Sequence, residues 1–289
     1  MNLEGRVVVV TGAAGGIGRA LAVLLAKHGA RLVLADIRRG GLKELRAILS
    51  AGSSRALFLE HDVTQAGSWE TLLARALETF GRVDILINNA GIVQPAMAWA
   101  AEPAEISRQI SVNLLGTILG CRAVLPLMRE RNSGRIVNVA SLGGIVPMPG
   151  EAVYSATKFG IRGYSLSLAA ELHGTAVKVA FVCPDSVDTP QLAHELRHDE
   201  AVMSFLGEPL SAERVAWKIL RAAAGKKVEV LVPAGRGVIC RMAMAIPRVY
   251  LRLWPVLRKA GLRAMAARRR NGAPADILTA SDQEVGGFR

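Results

Sequence analysis

Apolar residues along this chain fall into two alternating rhythms. Short runs rich in Val, Ile and Leu recur at Arg6–Val10, Arg31–Leu34, Ala56–Leu59, Ile85–Ile87, Arg135–Val139, Lys178–Val182 and Val228–Val232. Longer stretches between them, such as Arg19–His28, Trp69–Phe80, Ser107–Arg129 and Val153–Leu172, carry apolar positions three and four apart. The first rhythm predicts strands and the second helices. Strands alternating with helices imply βαβ units, a parallel sheet with helices on both faces, and right-handed crossovers. The unbroken Val7-Val8-Val9-Val10 fits a strand buried on both sides. The expected fold is α/β, a doubly wound parallel sheet in one domain over residues 1–235.

After Pro233 the pattern changes. Residues 236–270 form a basic, amphipathic extension in which Pro247 and Pro255 are expected to break any single long helix. At helical spacing Arg241, Arg248, Arg252, Lys259 and Arg263 share one stripe. Ile239, Met242, Ile246, Val249, Leu253 and Leu257 fall roughly opposite, with Tyr250 and Trp254 at the border. Such a segment suits the surface of an anionic membrane. Packing of the apolar side on the protein body or on a second subunit accounts for it equally well. Residues 271–289 lack periodicity and are expected to be disordered.

Charge sharpens this division. The net charge is +12, and from Gly225 onward 13 Lys and Arg face 4 Asp and Glu, so nine of the twelve charges lie there. The near-neutral remainder argues against a nucleic-acid surface. Cys121, Cys183 and Cys240 are scattered and form neither a disulfide framework nor metal-ligand spacing, so no metal is expected. No secretory leader is expected before the first strand, and no apolar run is expected to reach the ~18 residues of a membrane span. The expectation is a cytoplasmic protein, with the membrane surface as a further place for it.

Candidate chemistry begins at the end of the first strand. Thr11-Gly-Ala-Ala-Gly-Gly-Ile-Gly18 follows it directly and opens a helix, with glycines at 12, 16 and 18. Such a turn lets the backbone approach a pyrophosphate, which a helix N-terminus binds through free N–H groups. Asp36 ends the second strand, where an acid hydrogen-bonds adenosine ribose hydroxyls and repels a 2′-phosphate. NAD is therefore favoured over NADP, although Arg38 and Arg39 offer guanidinium groups nearby. Further on, Tyr154 and Lys158 stand four residues apart, on one face if helical. A cation beside a phenol favours the phenolate, and a tyrosine tuned this way can exchange a proton with an alcohol or carbonyl oxygen.

Taken in order, Thr11-Gly-x-x-x-Gly-Ile-Gly18, Asp62-Val63, Asn88-Asn-Ala-Gly91, Asn113, Ser141 and Tyr154-x-x-x-Lys158 resemble the short-chain dehydrogenase/reductase family over about residues 5–235. The resemblance implies a Rossmann-type sheet, with Tyr154 as acid/base and Lys158 lowering its pKa and binding the nicotinamide ribose. It implies that Ser141 bonds the substrate oxygen and that Asn113 holds a water linking Lys158 to solvent. Gly12, Gly16, Ile17, Gly18 and Asp36 would hold the dinucleotide, Asp62 and Val63 the adenine, and Asn89, Ala90 and Gly91 would steady the sheet. Pro184, Val187 and Thr189 would clasp the nicotinamide. One departure stands there: Asp185 replaces the family's glycine, either as a solvent-facing turn residue or as an acid near an oxidised nicotinamide.

Substrate-lining positions implied by the resemblance are Gln94, Pro95 and Met97, then Ile145–Pro149 including Met148, then Gln191–Leu206, with Ser141 and Tyr154 at the reacting oxygen. The first two groups are nearly all apolar and carry no basic cluster. The leading expectation is a lipophilic alcohol or ketone of steroid, retinoid or long-chain type. A 3-oxoacyl thioester reductase and a non-catalytic NAD-binding sensor are the alternatives. A homo-oligomer built on the helices near Ser107–Arg129 and Val153–Leu172 is expected from the family.

Overall fold

The computed structural model describes residues 3–50 and 55–271. Seven strands, β1 (Val7–Thr11), β2 (Arg31–Asp36), β3 (Ala56–Glu60), β4 (Ile85–Asn88), β5 (Gly134–Val139), β6 (Val177–Pro184) and β7 (Glu229–Val232), form one sheet in the order β3-β2-β1-β4-β5-β6-β7. Every neighbouring pair is parallel. The doubly wound Rossmann-type sheet expected from the apolar rhythm is what the chain adopts.

All five residues of β1 are buried. Val8 and Val10 pack with Leu21, Leu25 and Val215 on one face, and Val7 and Val9 with Trp69, Leu72 and Val124 on the other. This two-sided burial is why the valine run carries no alternation. The helices are α1 (Gly16–Lys27), α2 (Arg39–Ser50), α3 (Ala66–Phe80), α4 (Pro103–Gln109), α5 (Gly116–Glu130), α6 (Ala152–Glu171), α7 (Pro190–Glu195), α8 (Ala212–Ala224), α9 (Ala234–Ala245) and α10 (Pro247–Arg270).

The expected helix over Ser107–Arg129 is three segments, because a π-helical turn at Ile110–Leu115 joins α4 to α5. Together Pro103–Glu130 is 28 residues long with a mean hydropathy of 1.6 in its most apolar window, long and apolar enough to span a membrane. That corrects the expectation that no stretch reaches such a length. The helix instead lies along the sheet, burying Cys121, Val124 and Met128.

Pro247 behaves as expected, starting α10 at a position where its missing N–H costs nothing. Pro255 does not break the helix, which runs on to Arg270. Trp254 before it and Leu262 and Met265 after it pack into one cluster with Leu192, Leu196, Val202 and Phe205. Anchoring on both sides outweighs the one backbone bond a proline removes. Tyr250, set at the border by helical spacing, is buried, whereas Ile239, Met242, Ile246, Val249 and Leu253 are exposed. The expected disordered tail lies outside the described residues apart from Asn271.

Candidate active site

The C-terminal ends of β1, β2, β4, β5 and β6 open on one rim of the sheet, on both sides of the point where strand order reverses between β1 and β4. Ligands of open parallel sheets bind at such a reversal. Gly12 turns there with φ +62°, and a Cβ on it would come within 2.8 Å of the Ala90 backbone. A Cβ on Gly18 would overlap the Gly12 carbonyl. No side chain caps the N-terminus of α1, so the first-turn N–H groups remain for a ligand.

Asn89 closes this turn from the next strand, donating from Nδ2 to the carbonyls of Thr11 and Gly12 at 3.0 and 3.1 Å. The Thr11 hydroxyl accepts from the backbone N–H groups of Asn89 and Ala90. Asp36 is buried, and its carboxylate accepts from Ala14 N–H at 2.9 Å and from Arg38 N–H at 3.0 Å. The Arg38 side chain pairs with the same carboxylate, and Arg39 pairs with Glu60. Both arginines placed to receive a 2′-phosphate are thus engaged with acids. Asp62 accepts from the N–H and hydroxyl of Thr64, and the Val63 carbonyl accepts from the Trp69 indole. The cradle, the free N–H groups and the acid at the end of β2 fit a dinucleotide.

Ser141 lies just past β5, and its Oγ accepts from Gly143 N–H at 3.0 Å, capping a short 3₁₀ turn. Tyr154 on α6 lies close enough for the same hydroxyl to favour its phenolate. Ser155 ties the helix to the turn, donating to the Gly143 carbonyl at 2.6 Å. Lys158, one turn after Tyr154, is buried and donates from Nζ to the Val139 carbonyl at 3.1 Å. Asn113 sits in the π-helical turn, fully buried, with Oδ1 accepting from Ile92 N–H and Nδ2 donating to the Ile92 carbonyl and the Thr157 hydroxyl. A Cβ on Gly91 would lie 3.4 Å from both Asn113 Oδ1 and Lys158 Nζ, so Gly91 stands against both side chains.

The electrostatics correct the simple pairing of cation and phenol. Burial lowers Lys158 to about 8. Tyr154 is not lowered but raised, by burial first and then by the negative charge of Glu195, with the Ser141 hydroxyl acting against them. Desolvation of the phenolate outweighs a lysine that is itself desolvated and bonded elsewhere. Two carboxyls that sequence reasoning missed account for part of this. Glu151, just before α6, has its pKa raised by burial and by Glu195, and its Oε1 has no hydrogen-bond partner. Glu195, on α7, accepts from Gln191 at 3.3 Å and is raised by burial. In sequence each is an ordinary polar position at the start or end of a helix.

The lining positions converge as well. Gln94 is held by Gln109, and its side chain meets His194 of α7 at 3.3 Å. Met148 packs its sulfur against Gly143. Thr189 packs on Gly16, bringing the segment after β6 onto the glycine turn, and Thr189 Oγ1 donates to the Val187 carbonyl. Pro184 ends β6, buried. Asp185 is neither left-handed nor a solvent-facing turn residue: its carboxylate is mostly buried and pairs with Arg236 of α9. That neutralisation removes it as a free acid beside the nicotinamide.

A family model described as short chain dehydrogenase matches residues 6–201. The chain is a member of that family. An uncharacterised oxidoreductase of Listeria innocua is 36% identical over 194 residues, covering 66% of this chain and 78% of its own length. A 2,5-dichloro-2,5-cyclohexadiene-1,4-diol dehydrogenase of Sphingobium indicum is 33% identical, covering 72% and 86%. Among solved structures, a short chain dehydrogenase/reductase from Burkholderia phymatum in complex with NAD superposes with a TM-score of 0.79 at 28% identity, covering 86% of this chain and 96% of its own. Family membership makes this dehydrogenase an oxidoreductase that binds a nicotinamide cofactor.

Proposed function

We propose that this dehydrogenase interconverts a secondary alcohol and a ketone on a bulky apolar substrate, with NAD as cofactor and Tyr154 as the acid/base. The observation that carries this reading is the convergence of Tyr154, with Ser141 acting on its phenol and the Lys158 ammonium 5.4 Å from its ring, on the same rim as the glycine turn. A bound nicotinamide supplies the hydride chemistry. The residues do the rest. Ser141 and Tyr154 hold the substrate oxygen, and Tyr154 gives it a proton in reduction and removes one in oxidation. The raised pKa keeps the phenol protonated at neutral pH, ready to donate.

Asn113 bonds Thr157, the residue before Lys158 on α6, and in this reading holds the water linking Lys158 to solvent. Val187 and Thr189 clasp the carboxamide. NAD is favoured because Asp36 lies where a 2′-phosphate would fall and both neighbouring arginines are paired. Met97 and Met148, partly exposed in the segments expected to line the site, support a lipophilic substrate, whereas Ile145 and Val146 are buried. Two relatives are named for alcohols on six-membered carbon rings, which supports a cyclic one. Ile110, Leu115, Phe159 and Leu166 are exposed on the long helices and support a homo-oligomer there. We place the enzyme in the cytoplasm, at a membrane surface.

The test is Tyr154→Phe, assayed by NADH fluorescence over secondary alcohols, steroids, retinoids and long-chain alcohols, with NAD and NADP in parallel. Activity should fall by about 10²–10⁴ while NADH affinity stays within a few-fold. Full activity would overturn the mechanism. Tight NAD binding with no turnover by the unaltered enzyme would favour a sensor instead, and a requirement for NADPH a thioester reductase.

A further inference from the structure

The two helices after Pro233 carry ten Lys and Arg and no Asp or Glu between Ala234 and Arg270. The structure divides these cations into two sets. Arg236, Arg241, Arg268 and Arg269 pair with Asp185, Glu229, Asp188 and Asp199 of the body. The other six, Arg248, Arg252, Arg258, Lys259, Arg263 and Arg270, are exposed on α10 with no acidic partner among the described residues, and Arg248, Arg252, Lys259 and Arg263 share one outer stripe.

Val249, Leu253 and Val256 lie between this basic stripe and the docked face, all exposed, Val256 by 66%. The apolar spacing continues back through Ile246 to Met242, Ile239 and Val238, with Met242 exposed by 69%. Burial of α10 is confined to Tyr250, Gly261, Met265 and their neighbours. That inner face straps both loops beside the site. Tyr250 donates to the Pro147 carbonyl at 2.6 Å, and Arg269 donates to the Leu196 carbonyl at 2.9 and 2.7 Å.

We propose that the outer surface of α9 and α10 is a docking surface for an anionic lipid membrane, with the apolar line in the headgroup–acyl boundary and the arginines on lipid phosphates. Charge decides the occupant. A second copy would bring arginines against arginines on helices that hold no acid, and a nucleic acid would leave the apolar line in water. An anionic bilayer satisfies both halves at once. Because one helix contacts the membrane outside and the loops inside, the substrate loops stand about 10 Å, one helix diameter, from the lipid. This places the apolar site beside a reservoir of lipophilic substrate, and it deepens the proposed location at a membrane surface.

The full chain should co-sediment with phosphatidylcholine vesicles containing phosphatidylserine, weakly with pure phosphatidylcholine, and less as salt rises. Replacing Arg248, Arg252, Lys259 and Arg263 by Gln, or Val249, Leu253 and Val256 by Ser, should each weaken vesicle binding by more than about tenfold with NADH affinity unchanged. The salt series on the unaltered chain probes the same attraction without a variant. Binding indifferent to phosphatidylserine, or equal binding by the variants, overturns the proposal. So does a change in molecular mass by light scattering in the variants without vesicle binding by the parent, which would mark a self-interface. Binding is read without turnover, so its failure leaves the catalytic reading standing.

Discussion

The Lys158 ammonium stands 5.4 Å from the centre of the Tyr154 ring and gives its hydrogen bond to the Val139 carbonyl. Burial sets Lys158 at about 8. Below that value it is an ammonium able to pass on a proton, and above it a free amine able to take one. Ketone reduction should therefore fall, and alcohol oxidation rise, as pH increases through about 8. Profiles of kcat/KM in both directions check this, and Lys158→Met should lose that inflection with most of the activity.

Glu151 has a folded-state pKa raised above its ordinary 4.5, so it contributes most to stability below that pH and loses this contribution as pH rises through the folded value. Glu151→Gln removes the ionisation while keeping the shape. Its Tm should exceed that of the parent at about pH 8 and gain nothing at about pH 4. An equal gain at both would place the effect outside ionisation. Glu195→Gln should in addition lower the Tyr154 pKa, since the Glu195 charge is the second cause of its elevation.

Asp36 accepts from Ala14 N–H and from Arg38, so its charge is fixed at the end of β2. Asp36→Ala should free Arg38 and shift the ratio of NADPH to NADH affinity toward NADPH by about tenfold, equivalent to about 1.4 kcal/mol. Fluorescence titration of both cofactors measures it. An unchanged ratio would mean that discrimination lies elsewhere.

Arg236 pairs with Asp185 and holds α9 to the end of β6. Arg236→Ala leaves a mostly buried carboxylate without its cation and should cost about 1–2 kcal/mol, moderated because the arginine is partly in water. Hydrogen exchange should rise in α9 before it rises in the sheet. Adding Asp185→Gly in that background should recover stability if the pair is the cause.

The strands were legible because two-sided burial writes itself as unbroken Val and Ile, and the glycine turn because only Gly tolerates the approach of Gly18 to the Gly12 carbonyl. Tyr154 and Ser141 were legible as local motifs, and both reach the same rim. Glu151 and Glu195 were not, since nothing local distinguishes a buried carboxyl from a solvated one. Pro255 misled because proline's cost is local while the packing of Trp254 and Met265 that offsets it is not.

By itself the sequence determined the parallel α/β sheet and the family, and it singled out the candidate residues of the reacting centre, because periodicity and motif spacing are properties of neighbouring positions. Only the tertiary structure decided that Lys158 bonds Val139, that burial and then the charges of Glu195 and Glu151 raise the phenol, that Arg236 neutralises Asp185, and which side of α10 is docked. Each of these depends on desolvation and charge contributed by residues distant in the chain, and burial is set only when the elements pack.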